Sequence, residues 1–291
     1  MSEQSIINNF QVYTIVSPDG QTQASFVPEK GGMGCSIIMP HHGKSRELLY
    51  LHDNFWENDL SDLVGGWPFL FPICGRLDPK GGYQMPIHGF APYMPWKVLQ
   101  ADQPNNLVLE LSEAKETLKI YPFKFKVQLI YRVENNKLIC EQVYTNAGEK
   151  SMLYYAGFHP YFLMPNKQKT ILNFQPIKRF KYNSSLTEII GEQKLFKLPT
   201  SVDNPEINEQ LTEVAKDNLI TLQYPDGFKL SMQTIDENHL FRYVQLYTMV
   251  GKPFFCVEPW MSFHGALNTE HGARILPPGC SETSRLLVWC E

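Results

Sequence analysis

Cysteine is used sparingly and without pattern. Cys35, Cys74, Cys140, Cys256, Cys280 and Cys290 include no Cys-x-x-Cys pair. Such spacing supports neither a structural zinc site nor a disulfide framework. Each thiol is expected to act as a small buried hydrophobe, and no metal is expected. Positive charge is equally scarce. Lys and Arg number 26 against 30 Asp and Glu, for a net charge of -4. With no dense basic block to neutralise phosphates, nucleic acid is excluded as a natural partner. Also missing are an apolar run of about 18 residues and, at the start, a basic stretch leading into an apolar segment. The expectation is a soluble cytoplasmic protein with no membrane partner. Helical periodicity is rare, with Asp59 to Val64 and Asn208 to Ala215 the only short candidates. That disfavours an α/β sheet with repeated crossover helices.

What is present is a large stock of apolar residues, 43% of 291, beside 19% charged. This balance is that of an ordinary globular protein, and residues 1–291 are expected to form one domain around one core. Between Phe123 and Val133, Phe123, Phe125, Val127, Leu129, Tyr131 and Val133 alternate with mostly polar residues, the period of a half-buried strand. Glu134 to Lys137 reads as a turn and Leu138 to Thr145 as a returning strand, so the pair predicts an antiparallel hairpin. Further strand-like runs are Leu107 to Leu111, Leu219 to Gln223, Phe228 to Thr234, Tyr243 to Met249, Phe254 to Val257 and Leu286 to Trp289. With 21 prolines and 19 glycines punctuating the chain, the fold class expected is all-β, a large sandwich of antiparallel sheets with few short helices.

Three stretches depart from plain alternation and carry ionisable groups in apolar, glycine-rich or proline-rich settings. The first runs from Gly65-Gly66-Trp67-Pro68-Phe69-Leu70-Phe71-Pro72 through Gly75-Arg76 to Ile87-His88-Gly89-Phe90-Ala91. Its glycines and prolines place Arg76 and His88 on loops or strand ends. The second, Gly157-Phe158-His159-Pro160-Tyr161-Phe162, sets a histidine among aromatic rings; a core histidine held by hydrogen bonds is the plainer reading of that residue alone. In the third, Val257-Glu258-Pro259-Trp260, a carboxylate ends an apolar run, and such a group is rarely buried without a partner or a task.

Taken in order, these segments resemble the motifs of the aldose 1-epimerase (galactose mutarotase-like) family. Tyr121-Pro122-Phe123, Asn146-Ala147-Gly148 and Leu276-Pro277-Pro278-Gly279 extend the likeness over nearly the whole chain. The resemblance implies a galactose mutarotase-like supersandwich and interconversion of α and β anomers of an aldohexose by acid/base ring opening and reclosure. His159 then maps to the general acid and Glu258 to the general base, with Arg76 and His88 holding the sugar. A further acidic sugar-holding residue of the family has no aligned motif here; Asp203 and Asp226 are loose candidates. Ala91 is followed by Pro92 where hexose 6-phosphate enzymes tend to carry a basic residue, which weakens a phosphate-binding role.

The chemistry needs a base for the anomeric hydroxyl and an acid for the ring oxygen, on opposite sides, and no cofactor. From the reference values, Glu258 is expected to be ionised at neutral pH and the neighbouring carboxylate to raise His159 toward working pH. Trp67, Trp96 and Trp260 are expected in the core. A non-catalytic carbohydrate-binding sandwich, a hexose-6-phosphate 1-epimerase and a glycoside hydrolase or lyase are the alternatives. The last fits poorly, since hydrolysis usually takes two carboxylates. The oligomeric state is left open.

Overall fold

The computed structural model describes residues 2–57, 64–269 and 271–291. Two large sheets carry the fold. One has nine strands and contains the expected hairpin, Phe125–Glu134 paired with Lys137–Asn146. Phe125, Val127, Leu129, Tyr131 and Val133 are all buried, as are Leu138, Cys140 and Tyr144 opposite them. Glu134 pairs with Lys137, so the turn is Asn135-Asn136, and Asn136 takes the left-handed backbone that asparagine tolerates. The other large sheet has eight strands, seven in its path and Tyr161–Leu163 pairing off it with Phe254–Trp260, and Gly157–Phe158 is seated between Phe254–Trp260 and Phe69–Leu70. All pairings between these named strands are antiparallel. A five-stranded sheet, whose order follows the sequence, covers the N-terminal end.

One continuous cluster of buried side chains joins the two large sheets, including Leu109, Val127 and Leu129 from one and Phe69, Phe158, Val244 and Val257 from the other. This is the packing of a β-sandwich, as expected. α-Helix is confined to Lys115–Ile120 and Ala266–Thr269 among the described residues, and none of the described helices is long and apolar enough to cross a membrane.

The helix expected at Asn208 to Ala215 is instead a strand, Gln210–Val214, entered from a short 3-10 turn at Pro205–Ile207. It lies between Pro176–Tyr182 and Tyr243–Tyr247 and bonds to both. Two flanking ladders outweigh a weak local propensity. The other helix candidate, Asp59 to Val64, falls outside the described residues except for Val64.

The strand Phe254–Trp260 is buried along its whole length, because both of its faces are covered. Successive side chains point to opposite faces. Phe255 and Val257 join the central core, whereas Phe254 and Cys256 join a separate cluster with Tyr161. Glu258 follows at the same period, so the strand delivers a carboxylate to the face turned away from the sandwich interior. Register with the adjacent strand sets Gln245 opposite Glu258 and Tyr247 opposite Cys256 on that face.

Candidate active site

His159 lies in the short link between Gly157–Phe158 and Tyr161–Leu163. Its main-chain N–H donates to the Pro68 carbonyl at 3.0 Å, and its ring stacks on Tyr161 with centroids 4.5 Å apart. Gly157 must be small here, because a Cβ on it would sit 2.6 Å from Cys74 Sγ and 2.7 Å from Trp260 Cδ1. The link therefore packs tightly against the strand that carries Glu258. His159 Nε2 lies 3.4 Å from Glu258 Oε1, with the two residues only 6% and 1% exposed. Acid and base candidates are neighbours on one wall, not on opposite sides as expected. Adjacency suits the reaction, since the hydroxyl oxygen and the ring oxygen share one carbon.

Arg76 and His88 do lie on loops, and the loops lock together. Gly75 N–H donates to His88 Nδ1 at 3.0 Å, and Arg76 N–H donates to His264 Nδ1 at 2.9 Å. In return His88 N–H donates to the Gly75 carbonyl at 2.8 Å, and Gly265 N–H to the Arg76 carbonyl at 2.9 Å. A ring nitrogen that accepts carries no proton, so the neutral imidazole of each has its N–H on Nε2. Both rings line the pocket. They are thus fixed as neutral rings, each keeping its N–H on Nε2. Burial drives this, holding His88 well below the ordinary histidine value and His264 down to about 3, with the Arg76 charge acting the same way on both.

The pocket has a volume of about 120 Å³ and is lined by Arg76, His88, Glu209, Gln245, Glu258 and His264 among others. It includes three of the four expected site residues; the fourth, His159, is not among the lining residues, and its ring centroid lies 5.2 Å from that of the lining residue His88. Roomier surface hollows exist, such as one of about 690 Å³ between Lys216 and Arg285, but none of those gathers buried ionisable groups in this way. Asp203 and Asp226 do not reach the pocket. Asp226 is exposed and pairs with Arg46, and Asp203 caps a surface turn through its N–H. The acidic residue beside Glu258 in the pocket lining is Glu209, held with positive φ just before Gln210–Val214. Trp67, Trp96 and Trp260 are buried as expected, and Trp260 also lines the pocket, edge-on to both His88 and His264.

The expected charge states are reversed. Burial pushes His159 down to about 3, overcoming any help from the carboxylate. Burial, reinforced by the like charge of Glu209, holds the Glu258 carboxyl well above the usual carboxylate range. Desolvation disfavours each ion separately and outweighs the Trp260 side chain, which favours the carboxylate, and the main chain, which favours the imidazolium. Glu258 Oε2 and His159 Nδ1 have no hydrogen-bond partner among the described residues.

Glu209 and His264 carry little signal in the sequence. Glu209 lies inside the stretch whose pattern predicts a helix, and a positive φ at a non-glycine residue leaves no local signal. His264 lies six positions beyond Glu258, in a loop whose only hint is the glycine that follows.

A sequence profile of the aldose 1-epimerase family matches residues 12–286. The chain belongs to the aldose 1-epimerase family, whose members are isomerases. Protein LacX of Lactococcus lactis subsp. lactis is 27% identical over 122 residues, 38% of this chain and 40% of that protein. A protein of Escherichia coli (strain K12), provisionally named a glucose-6-phosphate 1-epimerase, is 27% identical over 151 residues, 51% of this chain and 47% of that one. The matches thus span less than half the length of these curated relatives. In three dimensions the likeness is complete: a galactose mutarotase-like protein from Clostridium acetobutylicum superposes with a TM-score of 0.84 over 100% of this chain and 98% of the other, at 18% identity.

Proposed function

We propose that this protein interconverts the α and β anomers of an unphosphorylated aldohexose. The observation that carries this reading is the buried contact between His159 and Glu258, an acid and base pair 3.4 Å apart of which Glu258 lines a polar pocket. Glu258 takes the proton of the anomeric hydroxyl. The electrons of that O–H form the carbonyl, the bond from the anomeric carbon to the ring oxygen breaks, and His159 delivers a proton to the ring oxygen. Rotation about the first carbon–carbon bond turns the aldehyde over. In closing, neutral His159 takes the proton back from the hydroxyl and Glu258 returns one to the carbonyl oxygen. Arg76, His88 and His264 hold sugar oxygens through fixed donors, and Glu209 accepts from a hydroxyl.

The name borne by the Escherichia coli relative favours a hexose 6-phosphate as a second reading. Against it, Arg76 is the only Lys or Arg lining the pocket among the described residues, and the Glu209 carboxylate lies within reach of its charge. A phosphate dianion entering there meets one guanidinium already facing a carboxylate. The continuous buried cluster shared by both sheets also supports 1–291 as one domain.

NMR exchange spectroscopy on glucose, galactose and glucose 6-phosphate tests the reading, with anomer exchange faster than the buffer rate expected for at least one of the two free sugars. Acceleration of glucose 6-phosphate alone would move the assignment to the phosphorylated class. Saturable sugar binding with no acceleration would make the protein a binding module.

A further inference from the structure

Cys256 has no part in the chemistry above, yet the two-residue period of its strand places it on the same face as Glu258. Cys256, His159 and Glu258 each offer one metal-ligating atom, and the three atoms lie within 4.8 Å of one another. The residues are 0%, 6% and 1% exposed. Glu258 Oε2 and His159 Nδ1 are buried without partners among the described residues, so the cluster has polar capacity that the fold does not use.

We propose that His159, Cys256 and Glu258 form a binding site for one thiophilic divalent cation of the zinc type, and that the bound cation blocks the acid and base pair. The blocking half rests on the roles given above to His159 and Glu258; the binding half does not. The donor set is one imidazole nitrogen, one thiolate and one carboxylate, the mixture that a borderline-soft ion accepts, with a fourth position left for water. Hard cations are disfavoured, because calcium calls for about 6 to 8 oxygen ligands and only one carboxylate is present. Bond lengths of about 2.0–2.3 Å in a tetrahedron bring donors to roughly 3.5 Å from one another, so closing on the ion takes a contraction of about 1 Å. Thiolate and carboxylate together cancel the charge of a divalent ion, and binding leaves this buried wall neutral. The thiol proton and the proton held by the Glu258 carboxyl both leave to solvent as the metal–sulfur and metal–oxygen bonds form. Because Glu258 lines the pocket, the ion enters by the mouth that the sugar uses, and the two compete.

The test uses the full chain, stripped with a chelator and titrated with Co²⁺ as a spectroscopic stand-in for Zn²⁺. One Co²⁺ per chain is expected, with a thiolate-to-cobalt charge-transfer band in the near ultraviolet that Zn²⁺ displaces. Cys256→Ala and Cys256→Ser should both lose the band, with circular dichroism and melting curves establishing that each variant is folded. Even outer-shell partners of a metal are worth about 10–100-fold in affinity, so losing the thiolate should weaken Zn²⁺ binding at least that much. Zn²⁺ should slow glucose anomer exchange, a chelator should restore it, and the variants should need correspondingly more Zn²⁺. No band in the wild type, or a band unchanged in both variants, overturns the site. A band with unaltered anomer exchange overturns the blocking. If the wild type accelerates no sugar at all, the spectrum still decides binding, and it is the proposed activity that fails.

Discussion

His159 and Glu258 hold one proton between them over a wide range of pH, because burial lowers the first and raises the second. In the free protein that proton rests on the carboxyl; in the reaction proposed above, ring closure starts from that arrangement and ring opening once the proton crosses to the imidazole. A pair of this kind titrates as a unit. It gains a second proton only as pH falls toward about 3 and loses its last above the usual carboxylate range. The dependence of kcat/KM on pH, corrected for the buffer reaction, is therefore expected to show no rise through the ordinary histidine value near 6.5 and to fall as pH rises through the raised carboxyl value; a rise through about 6.5 would contradict it. Glu209 raises Glu258 by like charge, so Glu209→Gln should move the alkaline limb to lower pH. The same shift has a stability sign. A carboxyl whose folded pKa is raised contributes stability that is present below its unfolded pKa and lost as pH rises through the folded one. Glu258→Gln has no charge to bury, and its melting temperature should equal or exceed that of wild type, with the gap widening toward alkaline pH. At this scale the motifs exposed His159, Glu258, Arg76 and His88 in the sequence. They left Glu209 and His264 hidden, because those two depend on a loop conformation and on a long-range loop pairing. They also left the charge states hidden, because burial is a property of the fold.

The hairpin Phe125–Glu134 and Lys137–Asn146 was legible because alternation and turn chemistry agree. Gln210–Val214 was not, because its ladder partners lie on distant strands. The most demanding element near the site is the Gly75-Arg76 loop. Gly75 has φ of +74°, and a Cβ there would lie 2.3 Å from His264 Nδ1. Gly75→Ala is expected to cost about 1–3 kcal/mol in backbone strain. By displacing the His264 ring it should also reduce kcat/KM far more than Gly43→Ala, a change at another positive φ with nothing within 4 Å. Equal kinetic losses in the two variants would show that the loop clamp does not shape the site.

Across the whole molecule, composition and punctuation pointed to a sandwich. The strand order was out of reach, since each large sheet gathers segments from widely separated parts of the chain. The N-terminal sheet is tied to the nine-stranded one through Phe26, which stacks on Tyr131 with centroids 3.9 Å apart. Phe26→Ala removes a fully buried ring and is expected to cost about 3–5 kcal/mol. The melting temperature should fall by roughly 6–15 °C with little change in anomer exchange at 25 °C, since Phe26 is not among the residues lining the pocket. The central claim is that this fold presents Glu258 and His159 as an acid and base pair for opening a sugar ring. Polarimetry on freshly dissolved α-glucose and α-galactose, comparing wild type with Glu258→Gln, tests it most directly. Wild type is expected to accelerate the approach to anomeric equilibrium, and the variant to lose about 10²–10⁴ of that acceleration while melting as cooperatively. A folded Glu258→Gln variant as active as wild type would remove Glu258 from the chemistry.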